Sequence, residues 1–345
     1  MSAWMVLLAF VPLAVVADLA RWPPMVVFSA AALGVVPLAS FLSQATEELA
    51  ARAGPRVGGL LNATLGNAAE LIIALFAIRA GLLDLVKASI TGSILGNILL
   101  ILGMGFLLGG RRHGTQRFDR GQAGVNATML TLAVIALAVP SLFGHTIEEV
   151  DHAAVEYLSL GVAGVMMLLY ILSVAYSFGL PLREKEPHTP QRWSTSLALG
   201  VLVGSTALIA WLSEILVGAV EPVVLSLGVT EFFLGIIVVP LVGNVVEHLV
   251  AVQMAMKDRM ELSLAIALGS GLQVALFVAP VLVFASLALG NPLTLIFNQF
   301  ELIALVAASL LATLAALDGE SNWLEGAQLL AVYVIVALAF FFLPA

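Results

Sequence analysis

GNAAELIIAL, Gly66 to Leu75, and its echo GNVVEHLVAV, Gly243 to Val252, decide how this chain is read. Each places a glutamate three residues after an asparagine, inside an apolar run long enough to cross a bilayer. A charged side chain at a bilayer centre costs roughly 2.5 to 3.5 kcal/mol on the insertion scale, so an intramembrane acid marks a functional site by default. Two of them in the same setting strengthen that reading.

The composition around the motifs agrees. Of 345 residues 61% are hydrophobic and 10% charged, with a mean hydropathy of +1.09, more apolar surface than a water-soluble domain of this length can hide. The apolar runs are continuous rather than alternating, which argues for helices against a β-barrel. A net charge of -8 excludes a basic nucleic-acid surface, and the absence of cysteine excludes disulfides and thiolate metal sites. The bilayer is the expected environment, no resident cofactor is implied, and homo-oligomerisation is left open.

Cutting at charges, Pro and Gly gives eleven candidate transmembrane helices: 4–20, 24–43, 57–80, 84–108, 122–142, 155–178, 195–213, 230–256, 260–287, 297–316 and 323–343. The first leads to Asp18 and Arg21 rather than to a small-residue cleavage site, so it reads as a retained helix. Eleven of the fourteen Lys and Arg residues fall in the even-numbered loops, against Arg21, Arg79 and Lys87 in the odd ones. The positive-inside rule then places the N-terminus in the cytoplasm and the C-terminus outside.

Sliding the chain by 177 residues, the offset from Gly66 to Gly243, lays Gly66, Asn67, Glu70, Ala74, Gly92 and Ser93 over Gly243, Asn244, Glu247, Ala251, Gly269 and Ser270 without a gap. The chain therefore divides into residues 1–22, a peripheral first helix; 23–178, a five-helix repeat carrying GNAAE; 179–194, a proline-rich cytoplasmic linker; and 195–345, a five-helix repeat carrying GNVVEH. An odd number of spans per repeat makes the second enter the membrane from the opposite side. Inverted repeats are the architecture in which transporters hold substrate at the midplane, between broken helices from both halves.

Positions i and i+3 share a helical face, so Asn67 sits beside Glu70, and Asn244 beside Glu247. The glycine before each asparagine weakens the helix and lets the backbone open, which is tolerated at depth only where it lines a site. Two carboxylates, two amide oxygens and freed carbonyls suit the six to eight oxygens of a calcium ion, and two negative charges balance its two positive ones. Without the cation, burial and mutual repulsion disfavour two charged carboxylates, so protons take its place. Each pH unit across the membrane then contributes about 1.36 kcal/mol per proton. Neither motif run carries a Lys or Arg that would make these glutamates mere ion-pair partners.

His248 follows Glu247 where the first repeat has Leu71. It reads either as a proton relay or as a packing and hydrogen-bonding residue, pointing about 100° away from Glu247. Ser93, Asn97, Ser270 and Gln273 are polar beyond what close packing of small residues requires, and line the ion site if they do not simply pack. Glu47 and Glu48 on one side, and Glu214 and Glu221 on the other, either concentrate cations at the two mouths or are ordinary solvated charge.

GGLLNATLGNAAELIIAL with ASITGSILGNILLILG, and VTEFFLGIIVVPLVGNVVEHLVAV with ALGSGLQVALFVAP, resemble the paired signature repeats of the calcium/proton exchanger (CAX) family within the calcium:cation antiporter superfamily. The resemblance implies a secondary antiporter in which Glu70 and Glu247 bind calcium and exchange it for protons. His248 and Gln273 are similar to the proton-coupled branch. Val245 and Val246 depart from the usual pair of alanines, and the short termini point to a prokaryotic cytoplasmic membrane. The readings weighed beside it are a sodium or potassium/proton antiporter using the same site, a channel, which needs repeated rings of ligands, and an intramembrane enzyme with a carboxylate dyad.

Overall fold

A computed structural model describes residues 4–148, 152–179 and 192–343. Nearly all of them are helical. Pro24 opens a helix that runs from Pro24 to Leu65, broken once at Gly54, whose φ of 84° is open to glycine and strained for other residues. The chain leaves helical geometry again at Asn67 (φ -96°, ψ 19°) and restarts as Ala68–Arg79. The echo repeats this: Glu231–Gly243 is bent by 65° into Val245–Met256, with the break at Asn244 (φ -102°, ψ 3°). Both motif helices thus begin one residue after the motif asparagine.

Each motif helix is followed by a long one, Leu83–His113 and Met260–Leu289. Each of these carries a π-helical turn at the matching place, Gly96–Ile101 and Val274–Val278. Such turns are rare and concentrate at functional sites, because the inserted residue re-aims its neighbours.

Among the described residues seven helices are long and apolar enough to cross a membrane, and the bent pair makes an eighth. The shorter apolar helices Met5–Leu19 and Gln299–Ala315, with the first motif helix, complete the eleven expected segments. Two run further than expected, as Pro24–Gly54 and Thr195–Leu227. Glu47, Glu48, Glu214 and Glu221 therefore stand on helices rather than in loops, because charge ends burial in lipid without ending backbone hydrogen bonding.

Contacts between connections fix their sidedness. Gln116–Arg117 pairs antiparallel with Glu320–Ser321, Gln116 also donates to Asp258, and Arg52 reaches Thr195 and the Trp193 carbonyl. All of these lie in or beside even-numbered connections. On the opposite face Asn291 donates to the Ile78 carbonyl and the Phe297 amide to Ser141, joining odd-numbered ones. The even-numbered connections thus meet on one face of the bundle and the odd-numbered ones on the other. Among the described residues most Lys and Arg stand on the even-numbered face.

Helix Leu83–His113 lies at the centre, with 83% of its most apolar window buried, whereas Ala153–Tyr176 and Trp323–Phe341 bury 22% and present apolar faces to lipid. Small residues let helices approach: a Cβ on Gly103 would stand 3.1 Å from the Gly326 carbonyl. Likewise Gly34 admits the first helix, where an added Cβ would lie 3.3 Å from the Val11 amide. That helix packs on Pro24–Leu65 and Thr195–Gly218 at the rim of the bundle. Most of the inter-repeat linker, with Arg183 and Lys185, lies outside the described residues.

Candidate functional site

The two helix breaks face each other in the middle of the bundle. Glu70 and Glu247 each fall in the first turn of their motif helix, where unpaired backbone N–H groups and the helix dipole favour negative charge. Glu70 is buried; its Oε1 accepts hydrogen bonds from Ser93 Oγ of its own repeat and Asn244 Nδ2 of the other. Asn244 Nδ2 also lies 3.3 Å from Ser93 Oγ. Glu247 stands beside Ser270, whose Oγ accepts from Asn97 Nδ2 at 3.1 Å. The two carboxylates are close enough to repel each other electrostatically.

The expected pairing of each asparagine with the glutamate three residues on is not formed. Because the helix is interrupted at Asn67 and Asn244, these residues leave the glutamate's helical face and reach across to the opposite repeat: Asn244 to Glu70, and Asn67 Nδ2 to Gln273 Oε1 at 2.7 Å. The preceding glycines do not supply unusual backbone either. Gly66 is itself helical (φ -56°, ψ -43°), and its lack of a side chain makes room for the opposite glutamate, Glu247 Oε1 standing 3.3 Å from where a Cβ would be.

Four oxygens of this network are buried without any hydrogen-bond partner: Glu70 Oε2, Glu247 Oε2, Asn67 Oδ1 and Asn97 Oδ1. Buried acceptors are normally satisfied, and each orphan costs about 1–3 kcal/mol. Among the described residues no three His, Asp or Glu side chains come together. A hard cation here would therefore be held by two carboxylates plus amide and hydroxyl oxygens.

A cavity of about 380 Å³ leads to this point. It passes Ser43, Thr46, Glu47 and Asn62 on the basic side and ends at Glu247, Ser270 and Gln273. Glu70 does not line it. A family model described as sodium/calcium exchanger protein matches residues 23–179 and 197–342, both halves of this arrangement. The chain belongs to that family. The exchanger is 45% identical over 365 residues to a Ca2+/H+ antiporter of Synechocystis sp., covering 99% of this chain and 97% of that one. To the Ca2+/H+ antiporter ChaA of Bacillus subtilis it is 42% identical over 345 residues, 97% of each chain. The solved structure of native YfkE matches with a TM-score of 0.87 at 40% identity, covering 99% of this chain and 100% of that one. The relatives are named as transporters, not enzymes.

Other anticipated residues of the exchanger fall into two groups. Ser93, Asn97, Ser270 and Gln273 are in the network, and Glu47 lines the cavity. His248 is buried with Nε2 unpartnered and does not line the cavity. Glu48 accepts from the Arg192 amide and pairs loosely with Arg52 at 3.9 Å, fastening the linker's end. Glu214 and Glu221 are exposed at the far end. Ser43, Thr46 and Asn62 were not singled out from sequence, although Ser43, Thr46 and Glu47 stand at i, i+3 and i+4, a polar stripe readable in an apolar helix.

Proposed function

We propose that this protein is a Ca2+/H+ antiporter that works by alternating access, with Glu70 and Glu247 as the shared seat of cation and protons. The observation that carries the proposal is the set of orphaned oxygens on Glu70, Glu247, Asn67 and Asn97. They are the hard donors a calcium ion takes, and two carboxylates are neutralised equally by one divalent ion or two protons. The names of the close relatives point the same way.

Placing the basic face in the cytoplasm puts the N-terminus there and the C-terminus outside. The cavity then opens to the cytoplasm of a prokaryotic cell, and residues 1–22, 23–178, 179–194 and 195–345 serve as outer helix, first repeat, linker and second repeat. Two seams describe the closed and open sides. On the outer side Gly235 leaves no room for a Cβ beyond 2.6 Å from Ala88 Cβ and 2.9 Å from the Leu85 carbonyl. The positions matching Leu85 and Ala88 in the second repeat, Leu262 and Ala265, line the open cavity. Exchanging the two arrangements turns the site to the other side of the membrane.

The test is calcium uptake into everted vesicles under an imposed pH gradient. Uptake is expected to vanish in Glu70→Gln and in Glu247→Gln; uptake surviving both together would overturn the site, and equal exchange of sodium or potassium in calcium-free vesicles would overturn the substrate.

A further inference from the structure

The two half-sites are not images of each other, and one side chain makes the difference. At the first carboxylate, Glu70 accepts from Ser93 of its own repeat and Asn244 of the other. The repeat offset requires Glu247 to accept from Ser270 and from Asn67. Ser270 is in place. Asn67 is not, because its amide is donated to Gln273 Oε1 at 2.7 Å. Gln273 has no equivalent in the first repeat, where Gly96 stands, a residue without neighbours within 4 Å of an added Cβ.

We infer that Gln273 is a positioning residue that withholds Asn67 from Glu247 while the cavity is open, and yields it when the second half-site closes as the first has done. The inference rests on reading Glu70 and Glu247 as paired half-sites. Asn67 is buried, and its Oδ1 is already without a partner, so its Nδ2 must keep an acceptor at every stage or a second buried group is orphaned. Gln273 Oε1 is the acceptor it has, and the Glu247 carboxylate is the one the repeat relation assigns to it. Holding the first favours the open cavity, which Gln273 itself lines; taking the second reproduces the closed arrangement seen at Glu70. The exchange of one acceptor for another couples the state of the cavity to the completeness of the second half-site.

The natural chain has no cysteine, so a single reporter is clean. Ala265 lines the cavity, while its counterpart Ala88 is sealed against Gly235, so Ala265→Cys reports closure by losing access to a water-soluble maleimide. Labelling is read in proteoliposomes without calcium or a pH gradient, which makes it independent of which ion is carried; failure of the antiport reading shows in flux and failure of this inference shows in labelling. Gln273→Met removes the acceptor at nearly constant volume, and labelling is expected to slow by about threefold to tenfold, the population shift of one net hydrogen bond. Gln273→Glu keeps an acceptor and is expected to label at the parental rate. Gln273→Gly, the residue of the other repeat, gives the direction of Gln273→Met should the methionine variant not fold. In an Asn67→Ala background, substituting Gln273 is expected to have no further effect. Unchanged or faster labelling in the Met and Gly variants overturns the inference, and so does slowing that persists without Asn67, since a purely structural role for Gln273 would not pass through that amide.

Discussion

Gly243 and Glu70 are packed so closely that a Cβ on the glycine would lie 2.6 Å from Glu70 Cγ. The relation recurs in reverse between Gly66 and Glu247. Each repeat thus supplies a glutamate and the bare backbone against which the other repeat's glutamate rests. Gly243→Ala should push the Glu70 carboxylate off its position while leaving the helices assembled. Calcium uptake is expected to fall by about tenfold or more, with an unchanged elution profile on size-exclusion chromatography; wild-type flux would show that the Glu70 position is not critical.

Ser93 donates to the same Glu70 oxygen as Asn244. A hydrogen bond to a charged group is worth about 1.5–3 kcal/mol net, so Ser93→Ala should raise the KM for calcium by at least about tenfold. Initial uptake rates across a calcium series measure this, and an unchanged KM removes Ser93 from the site.

Protons and calcium compete for the same carboxylates in the proposed cycle. Acidifying the side from which calcium is taken should raise its KM, and alkalinising that side should lower it, by up to about tenfold per pH unit for each carboxylate that must be cleared. Uptake measured at fixed gradient and varied absolute pH gives the sign; a KM independent of pH would contradict competition.

Glu47 stands at the cavity while Glu221 is exposed on the opposite face. Removing a mouth charge weakens attraction most at low ionic strength. Glu47→Gln should raise the calcium KM by about twofold in low salt and less in high salt, whereas Glu221→Gln should leave uptake from the cavity side unaltered. Equal effects of the two substitutions would reduce Glu47 to solvated charge.

Outside the site, Ser141 holds an extended stretch in which alternate residues Leu293, Leu295 and Phe297 are buried. Its Oγ accepts from the Phe297 amide at 2.8 Å and donates to the Leu295 carbonyl at 3.2 Å. Ser141→Ala orphans both groups, at a cost of about 1–3 kcal/mol. A lowered thermal midpoint with an unaltered calcium KM is expected in detergent melts and flux assays; a KM shift would tie this stretch to transport.

Sequence alone determined the class and the outline. Apolar runs of spanning length, basic residues concentrated in alternate loops and two glutamates in one repeated setting are local or periodic signals, and hydrocarbon leaves a chain little freedom to do otherwise than cross as helices. The repeat offset pairs Ser93, which donates to Glu70, with Ser270, which stands beside Glu247. Tertiary structure decided which residues meet. Asn67 and Asn244 looked like partners of Glu70 and Glu247, since i and i+3 share a helical face, yet the helix stops at each asparagine and the inverted packing hands it to the other repeat. No one-dimensional pattern encodes that crossing, nor which of two equivalent seams is sealed and which stands open, because both depend on how the two halves settle against each other.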